Sequence, residues 1–416
     1  MGRKVLGVLL SVLMVTSLLT GCKNGSSSKT TNENSNGVVE LQWMFWDDLT
    51  ATEDLISKGY AEVIERFNEQ YKDKYHVTAI TTNLEEYDTK LNALIAAKKS
   101  PDVFICNPGP NLTQYVEAGV AADLTEILNN KEKDWYGNFT EGIFERMTYD
   151  GKIYAVPTNF AASLVFYNTE MFEAAGVEVP TNFTEWIDVC QKLKDAGYTP
   201  ISCSAGTAWC LSMIAGYLCD RAGGPDNLKG VNEGTLDWTS ESFITAGNKL
   251  AELSKYFQET AAGDSNDQAT AAFYNGEAAM LVQGSWAIGQ IKAKSQNPDN
   301  IKFMAAPSTV NGKQNIQVAA DYRMGVNKNS ANKEVAKDFV KFFVERYPQD
   351  SNMLSSLKGT ELPDFLKTGG NVELIQQKAG TTEQAKDFDA VQKESLINLS
   401  DPTWIKTVIE IGLGNG

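Results

Sequence analysis

Histidine is nearly absent from this chain of 416 residues, which has only one, at position 76. A single histidine excludes His-rich metal sites and disfavours a Ser-His-Asp catalytic arrangement. The sequence also lacks G-x-S-x-G, H-E-x-x-H and Walker-type phosphate motifs. We therefore expect no metal and no cofactor, and we predict that the protein is not an enzyme. His76 lies inside a predicted strand, where a structural role is the simpler interpretation.

Basic residues are also scarce. The chain has 37 Lys and Arg against 53 Asp and Glu, which gives a formal net charge of −16. No cluster of basic residues offsets this charge, and such a surface repels nucleic acid and anionic lipid headgroups. Nucleic acid is therefore not an expected partner. A polyamine or a cationic peptide would suit the acidity, although net charge describes the surface rather than a binding cleft.

Cysteine is limited to six residues, Cys22 and five between positions 106 and 219. Cys203, Cys210 and Cys219 are close enough in sequence for one disulfide, but spacing alone cannot establish it. No pair has the two-residue separation of a zinc knuckle or a redox motif. Because five is an odd number, an exported chain would keep at least one free thiol. For most of the five we expect buried, small, apolar side chains.

The longest apolar run lies at the N-terminus, where MGRK precedes VLGVLLSVLMVTSLL and then LTGC. The LTGC segment resembles the lipobox of bacterial lipoproteins, in which the cysteine is acylated. We predict a lipoprotein signal peptide over residues 1–21 and a lipid anchor on Cys22, which would hold the chain on the outer face of the cell membrane. An uncleaved anchor is the alternative, but the run is shorter than the ~20 residues of a spanning helix. Residues 22–37 are polar, which predicts a flexible tether.

Beyond the tether, strand and helix patterns alternate. Apolar strand patterns at 39–46, 76–81 and 101–106 are separated by segments with helical spacing. This order is typical of a parallel sheet flanked by helices, in which ligands bind beyond the carboxyl ends of the strands. The second half repeats the pattern without repeating the sequence. Because 416 residues exceed the ~250–300 residues of a single core, we predict an α/β protein of two lobes.

The segment IYAVPTNFAASLVFYN, at 153–168, has two apolar runs around Pro157, Thr158 and Asn159. Proline and asparagine remove or compete with ladder hydrogen bonds in the middle of a strand. We interpret the first run as a strand of one sheet, the second run as a strand of another, and the centre as a crossing. The crossing would act as a hinge.

Several segments carry a resemblance to a known family: PDVF, DGKIYAVP…LVFYN, VPTNFTEW…KLKDAGYTPI, FYNGEAAMLVQGSWAI and EVAKDFVKFFVE. With the lipobox, this series resembles the extracellular solute-binding proteins of carbohydrate ABC importers, the maltose-binding-protein-like group, from about residue 39 to 345. The resemblance implies a periplasmic-binding-protein-like fold of two lobes around a cleft. It also implies a monomer that captures a sugar or oligosaccharide and delivers it to ABC permease subunits.

The resemblance implies lobe changes at 158–161, 305–307 and about 328–333. Lobe 1 would then contain residues 38–158 plus 307–329, and lobe 2 residues 160–305 plus 331–416. One departure concerns the end of the chain. Family members usually continue past the position of IGLGNG with another helix, so 400–416 looks curtailed or divergent.

Candidate ligand contacts follow from the chemistry of sugars, which present apolar faces and hydroxyl groups to aromatic and polar side chains. Trp46, Asp47 and Asp48 stand at the end of the first predicted strand. Adjacent strand residues face opposite ways, so at most one aspartate should face the cleft. Trp286 matches a position where the family places a stacking aromatic in the second lobe. The alternatives are core positions for both tryptophans and helix capping by the aspartates.

The remaining candidates lie near strand ends and crossings. Asn107 and Asn111 follow a strand end, although turn formation explains asparagines there equally well. An Asp-Tyr-Arg run interrupts an apolar strand, and arginine is suited to bidentate recognition. Trp209 is either a second aromatic surface on which a sugar ring stacks or part of the packing of a helix. The full set of further candidates is Glu85, Asn107, Asn111, Asn159, Phe160, Trp209, Asp321, Tyr322 and Arg323.

Three functions remain after these exclusions. A sugar receptor comes first, in which the ligand bridges both lobes and shifts the population to a closed form. The same receptor for a peptide or polyamine comes second. A secreted carbohydrate hydrolase comes third, because it needs two carboxylates ~5–9.5 Å apart and the chain has 53 acidic residues that could supply such a pair. For a receptor, alanine at Trp46 or Trp286 should weaken binding and leave the melting temperature of the unliganded protein nearly unchanged. A large drop in that stability would instead favour a core position for the tryptophan.

Overall fold

The computed structural model describes residues 37–51, 54–106, 111–140, 143–144, 147–224, 227, 230–231, 234–307, 318–320, 322–351 and 353–358. The predicted signal peptide, Cys22 and nearly all of the tether lie outside the described residues, and so does the segment 400–416. Within the described part of the chain, no helix combines the length and apolarity needed to cross a membrane.

The strands are β1 (Val39–Trp46), β2 (Tyr75–Thr82), β3 (Val103–Cys106), β4 (Thr148–Tyr149), β5 (Lys152–Ile153), β6 (Ala155–Pro157), β7 (Asn159–Asn168), β8 (Thr199–Ser202), β9 (Ala278–Gly284), β10 (Ile301–Met304), β11 (Val318–Ala320), β12 (Arg323–Val326) and β13 (Leu354–Ser355). The α-helices are α1 (Leu55–Gln70), α2 (Leu84–Ala96), α3 (Asn111–Glu117), α4 (Thr125–Asn129), α5 (Lys133–Gly137), α6 (Thr169–Ala174), α7 (Phe183–Asp195), α8 (Ala208–Gly223), α9 (Glu241–Leu253), α10 (Asn266–Tyr274), α11 (Ala287–Lys294) and α12 (Lys333–Asp350). The predicted α/β class is confirmed.

The first sheet has the strand order β2-β1-β3-β12-β6. β1 runs parallel to β2 and β3, so α1 and α2 act as the crossover connections that parallel strands require. β12 is antiparallel to both β3 and β6. The carboxyl ends of β1, β3 and β6 and the amino end of β12 therefore meet at one edge of this sheet.

The second sheet has the order β10-β7-β9-β8, and β11 and β13 also pair with β7. β7 is antiparallel to β9 and β10, whereas β8 is parallel to β9. The ends of β8 and β9 and the start of β7 therefore lie at the same edge. A core of apolar side chains that includes Trp186, Leu193 and Met280 supports this sheet.

The chain changes sheet at Thr158. Pro157 pairs with Arg323 in the first sheet, and Phe160 pairs with Ala320 in the second. Between them, the Thr158 N–H donates to the carbonyl oxygen of Tyr322 at 2.9 Å. The proline and the polar residues therefore sit at the end of one strand and the start of the next, where they interrupt neither ladder.

The region 328–333, expected to be a third crossing, stays with the first sheet. The Lys328 N–H donates to the carbonyl oxygen of Val120, and Ser330 Oγ lies 2.5 Å from Asp102 Oδ1. A later segment reaches the crossing instead, because β13 pairs with the start of β7. Its neighbour Ser356 donates through Oγ to the carbonyl oxygen of Pro157 at 2.9 Å. The third chain segment at the crossing is thus 353–358, which contains β13.

Helix α12 lies against the first sheet and α1, although the sequence analysis assigned 331–416 to the second lobe. The Phe339 ring centroid is 5.3 Å from that of Trp43, and Phe343 is 5.0 Å from the same ring. Tyr60 of α1 stacks on Tyr347 at 4.7 Å. The spacing of the phenylalanines identifies an apolar face but contains no information on which sheet the face covers.

The five cysteines of the described residues are all buried and free. The trio at 203, 210 and 219 therefore forms no disulfide there, and the side chains pack as small apolar groups. Burial raises the pKa of the Cys106 and Cys219 thiols to about 12. Such thiols are poor nucleophiles at neutral pH.

Candidate functional site

The two sheets present matching edges on either side of the crossing. At the first sheet's edge lie Trp46, at the end of β1, and Arg323, at the start of β12. At the second sheet's edge, Ser163 of β7 pairs with Gly284 at the end of β9. Because the chain passes from one edge to the other through Thr158, the residues just beyond these strand ends face a common cleft.

Trp46 is nearly fully buried, with 4% of its surface exposed. Its ring makes edge contacts with Tyr87, at 4.8 Å between centroids, and with Tyr322, at 5.0 Å. Tyr87 is itself fixed, since its hydroxyl donates to the carbonyl oxygens of Met44 and Ile105. Trp46 therefore occupies the core position that the sequence left open, and the partly exposed Tyr322 packs on it.

Asp47 and Asp48 have different environments, as the strand pleat predicts. Asp48 is exposed and closes a turn, because its Oδ1 accepts from the N–H and the hydroxyl of Thr50 at 2.9 and 2.6 Å. Asp47 is partly buried, and its Oδ2 is buried without a hydrogen-bond partner among the described residues. Asp47 is thus the aspartate that faces the interior.

The backbone and charge of Asp47 are both unusual. Its φ is 130°, a conformation that residues with a side chain rarely adopt. Burial raises the pKa of its carboxyl group well above the usual range, and the carboxylates of Asp54 and Asp267 raise it further, whereas Lys294 opposes them. Asp54 and Asp267 belong to different lobes, so Asp47 senses charges from both sides of the cleft.

Trp209 and Trp286 form an aromatic pair in the second lobe. Their ring centroids are 5.7 Å apart in an edge-to-face arrangement, and both side chains are partly exposed. Trp286 comes two residues after the end of β9 and folds back over Gly284. A methyl group on Gly284 would lie 2.1 Å from a carbon of the Trp286 ring, so only glycine leaves room for this position.

A hydrogen-bond network supports the loop that precedes Trp209. Ser204 Oγ accepts from the Thr207 N–H at 3.0 Å, and Thr207 Oγ1 accepts from the Asn266 N–H at 3.0 Å. Gln283 Nε2 donates to Asn266 Oδ1 at 2.8 Å. Because Gln283 directly precedes Gly284, this network links the Trp209 loop to the turn that carries Trp286.

Gln283 and Asn266 were not among the candidates predicted from the sequence. A signal for Gln283 exists in the sequence, since it is a polar residue at the end of the run AAMLVQG. It is buried, and buried polar side chains need partners. Asn266 offered no comparable signal, because it is one of many asparagines that precede or start a helix.

The candidates at the crossing are buried. Asn159 accepts through Oδ1 from the Thr158 hydroxyl at 2.6 Å, and it has no exposed surface. Arg323 is 1% exposed and lies between Cys106 and Pro157 in the sheet. Both side chains therefore lie inside the crossing, whereas Trp209, Trp286 and Tyr322 keep exposed surface.

Five candidates remain, each within or next in sequence to a helix or strand. Asn107 and Asp321 lie outside the described residues. The backbones of Glu85, Asn111 and Phe160 belong to α2, α3 and β7. Among the described residues, no group of three or more His, Cys, Asp or Glu side chains is arranged to hold a metal ion.

Comparisons with known proteins identify a family and several related structures. The family model described as bacterial extracellular solute-binding protein matches residues 52–346. An uncharacterized ABC transporter extracellular-binding protein of Pyrococcus horikoshii is 26% identical over 319 residues, covering 74% of this chain and 70% of the relative. A multiple sugar-binding protein of Streptococcus mutans is 24% identical over 353 residues, with 80% and 77% covered.

Among solved structures, one from a study of xylan utilization by Caldanaerobius polysaccharolyticus superposes with a TM-score of 0.76. The two chains are 24% identical, and the alignment covers 91% of this chain and 96% of the other. The family match spans more than half of the sequence and includes strands of both sheets. This chain belongs to the family of bacterial extracellular solute-binding proteins.

Proposed function

We infer that the protein is the substrate-binding component of an ABC importer that captures a sugar, and more specifically an oligosaccharide. The observation that carries this proposal is the partly exposed Trp209–Trp286 pair beside the cleft. Aromatic faces bind the apolar faces of sugar rings, and a few polar groups fix the orientation. Asp47, whose Oδ2 is buried without a hydrogen-bond partner in the described part of the chain, is placed to accept from a hydroxyl group.

Three points support this assignment. The family consists of solute-binding proteins rather than enzymes. The matched relative from Streptococcus mutans is named for binding multiple sugars. The crossing strands provide a hinge about which two lobes close on a ligand. We propose accordingly that binding involves no chemical step, that Cys22 carries the lipid anchor, and that the monomer delivers its sugar to membrane permease subunits.

The test is a calorimetric titration of the purified protein with a panel of mono- and oligosaccharides. One oligosaccharide should bind and be recovered unchanged. Trp209→Ala and Trp286→Ala should each weaken that binding about tenfold, which corresponds to about 1.4 kcal/mol. Trp238→Ala is the matched control, because Trp238 is also partly exposed but packs on Phe243 of α9 at 4.8 Å.

A second candidate is the same receptor with a cationic solute, such as a polyamine or peptide. It is favoured by the carboxylates of Asp54 and Asp267, which both raise the pKa of Asp47, with Lys294 as the opposing charge. Thermal-shift screening separates the candidates, since a ligand at a hundred times its dissociation constant adds ~2.7 kcal/mol. A shift with a polyamine and none with any glycan would overturn the sugar assignment. A glycan returned cleaved would overturn the assignment as a receptor.

A further inference from the structure

Helix α11 of the second lobe lies against the start of α1 of the first lobe. α11 begins directly after Trp286, and α1 follows the loop that continues from Trp46, so both helices start at the cleft edges of their sheets. Gly289 of α11 faces Leu55 of α1. A methyl group on Gly289 would lie 3.1 Å from the Leu55 Cβ, which means that the absence of a side chain permits this approach.

Polar contacts accompany this apolar one. Asp54 is 8% exposed and caps α1, because its Oδ1 accepts from the Ile56 N–H at 2.9 Å. Its other oxygen, Oδ2, accepts from Gln290 Nε2 at 3.4 Å and lies 3.8 Å from Lys294 Nζ. Gln290 is oriented in turn by the Tyr274 hydroxyl, which donates to its Oε1 at 3.0 Å. The Asp54 carboxylate thus caps the N-terminus of a helix in the first lobe and also contacts two donors from the second lobe, Gln290 and Lys294.

We propose that Asp54, Leu55, Gly289, Gln290 and Lys294 form an interlobe latch that stabilises the closed arrangement of the cleft. The latch contains no residue of the Trp209–Trp286 pair, so it acts on closure and not on contact with the ligand. Rotation about the crossing strands separates the two helix starts, and every contact of the latch is lost together. The contacts of the latch do not depend on the proposed function. Only the role of the latch in ligand capture rests on that function.

The latch sets how much of the population is closed before a ligand arrives. A ligand that binds the closed form loses apparent affinity in proportion to the open fraction. The latch residues are therefore positioning residues. Their replacement should change lobe closure even when no ligand is added, whereas a purely structural residue would change only the stability of its own lobe.

A designed disulfide measures this closure directly. In Leu55→Cys/Gly289→Cys the two Cβ atoms would be 3.1 Å apart, close to the ~3.5–4.5 Å of disulfides. The five native cysteines of the described residues are buried and form no disulfide, whereas the thiols at 55 and 289 would be held within bonding distance, so the engineered pair should be oxidised first. We expect an intramolecular disulfide in the absence of any glycan, detected by mass spectrometry after mild oxidation. Leu55→Cys/Lys292→Cys is the matched control, since Lys292 is an exposed residue of α11.

Two variants test the polar part of the latch. Asp54→Asn retains a good helix cap while removing the charge that faces Lys294. Asp54→Asn and Lys294→Gln should each slow formation of the 55–289 disulfide about two- to fivefold, the range that a partly exposed ion pair supports. The double variant should be no slower than the slower single one, because both remove the same interaction.

Small-angle scattering of the same variants, without engineered cysteines, supplies a second measurement. The radius of gyration should increase in Asp54→Asn and Lys294→Gln and remain unchanged in Lys292→Gln. Equal oxidation rates for the 55–289 and 55–292 pairs would overturn the latch, as would unchanged rates and dimensions in the charge variants. Because neither measurement uses a glycan, a failed latch is distinguishable from a failed sugar assignment, which the titrations test.

Discussion

Trp46 and Trp286 occupy equivalent places in the two lobes, yet their surroundings differ. Each stands at the carboxyl end of a buried strand beside the cleft. β1 continues through Trp46, which pairs with Thr82, so its ring remains under the neighbouring tyrosines. β9 ends at Gly284, and Trp286 lies beyond the ladder, where its ring turns back over the glycine. A strand end therefore gives an exposed platform only where the aromatic residue lies past the last ladder pair.

The largest effect on stability is expected for Trp46, the buried tryptophan of the two. Trp46→Ala should lower the free energy of unfolding by about 3–5 kcal/mol, because it removes a large side chain from a packed aromatic group. Urea unfolding of the unliganded protein, followed by far-UV circular dichroism, measures this change. Trp286→Ala is the control and should cost clearly less, since its ring is partly exposed. A loss below 1 kcal/mol for Trp46→Ala would contradict the core position.

The sequence predicted strands in both lobes because strand periodicity is a local property of the chain. It predicted a mostly parallel sheet in each lobe, but β7 of the second sheet is antiparallel to both β9 and β10, since strand pairing depends on residues far apart in sequence. It did not predict the position of α12 or of β13, since both depend on contacts between residues far apart in sequence. Phe339 and Ser356 illustrate this. Each shows a recognisable tendency, to be buried or to form a hydrogen bond, but its partner lies nearly 200 residues or more away.

The candidate site could be predicted in composition more readily than in geometry. The sequence shows tryptophans and aspartates at the ends of predicted strands. In the structure, the rings of Trp209 and Trp286 are in contact. The sequence could not decide between exposed and buried for Trp46, because both alternatives require an aromatic residue at the end of an apolar strand. Gln283 was missed for the opposite reason: its position in an apolar strand conceals a partner, Asn266, on another element.

A second prediction concerns the glycine under the exposed ring. Gly284→Ala should displace Trp286 and lower the free energy of unfolding by about 1–3 kcal/mol, the usual cost of overpacking. It should also weaken glycan binding as much as Trp286→Ala does, which titration calorimetry would show. Gly247→Ala is the matched control, because a methyl group there meets nothing within 4 Å in α9.

The double variant makes this prediction sharper. In Gly284→Ala/Trp286→Ala the ring that the new methyl group would strike is gone, so much of the lost stability should return while binding stays weak. If the double variant is instead less stable than both single variants, the strain arises from the β9 backbone, and the ring is not held in place by Gly284.

The smallest expected effect is on the pH dependence of stability, which should differ between the adjacent residues Asp47 and Asp48. The raised pKa of Asp47 means that the folded protein binds more protons than the unfolded chain between the ordinary aspartate pKa and the raised value. Stability therefore falls as the pH rises through that window, and Asp47→Asn should remove this slope and be the more stable protein above it. Asparagine has nearly the same shape as aspartate, so it meets the same backbone conformation at this position. Thermal unfolding of the unliganded protein from pH 4 to 8 measures the slope.

Asp48→Asn is the internal control, because hydrogen bonds from Thr50 lower the pKa of Asp48. A lowered pKa contributes stability that is present above the ordinary aspartate pKa and is lost as the pH falls, so this replacement should not stabilise the protein at neutral pH. Opposite responses of two neighbouring aspartates would show that the strand pleat directs one carboxyl group into the cleft and the other into solvent. Identical pH profiles for the two variants would instead place both carboxyl groups in water, and Asp47 would lose its role as a hydrogen-bond acceptor for a sugar.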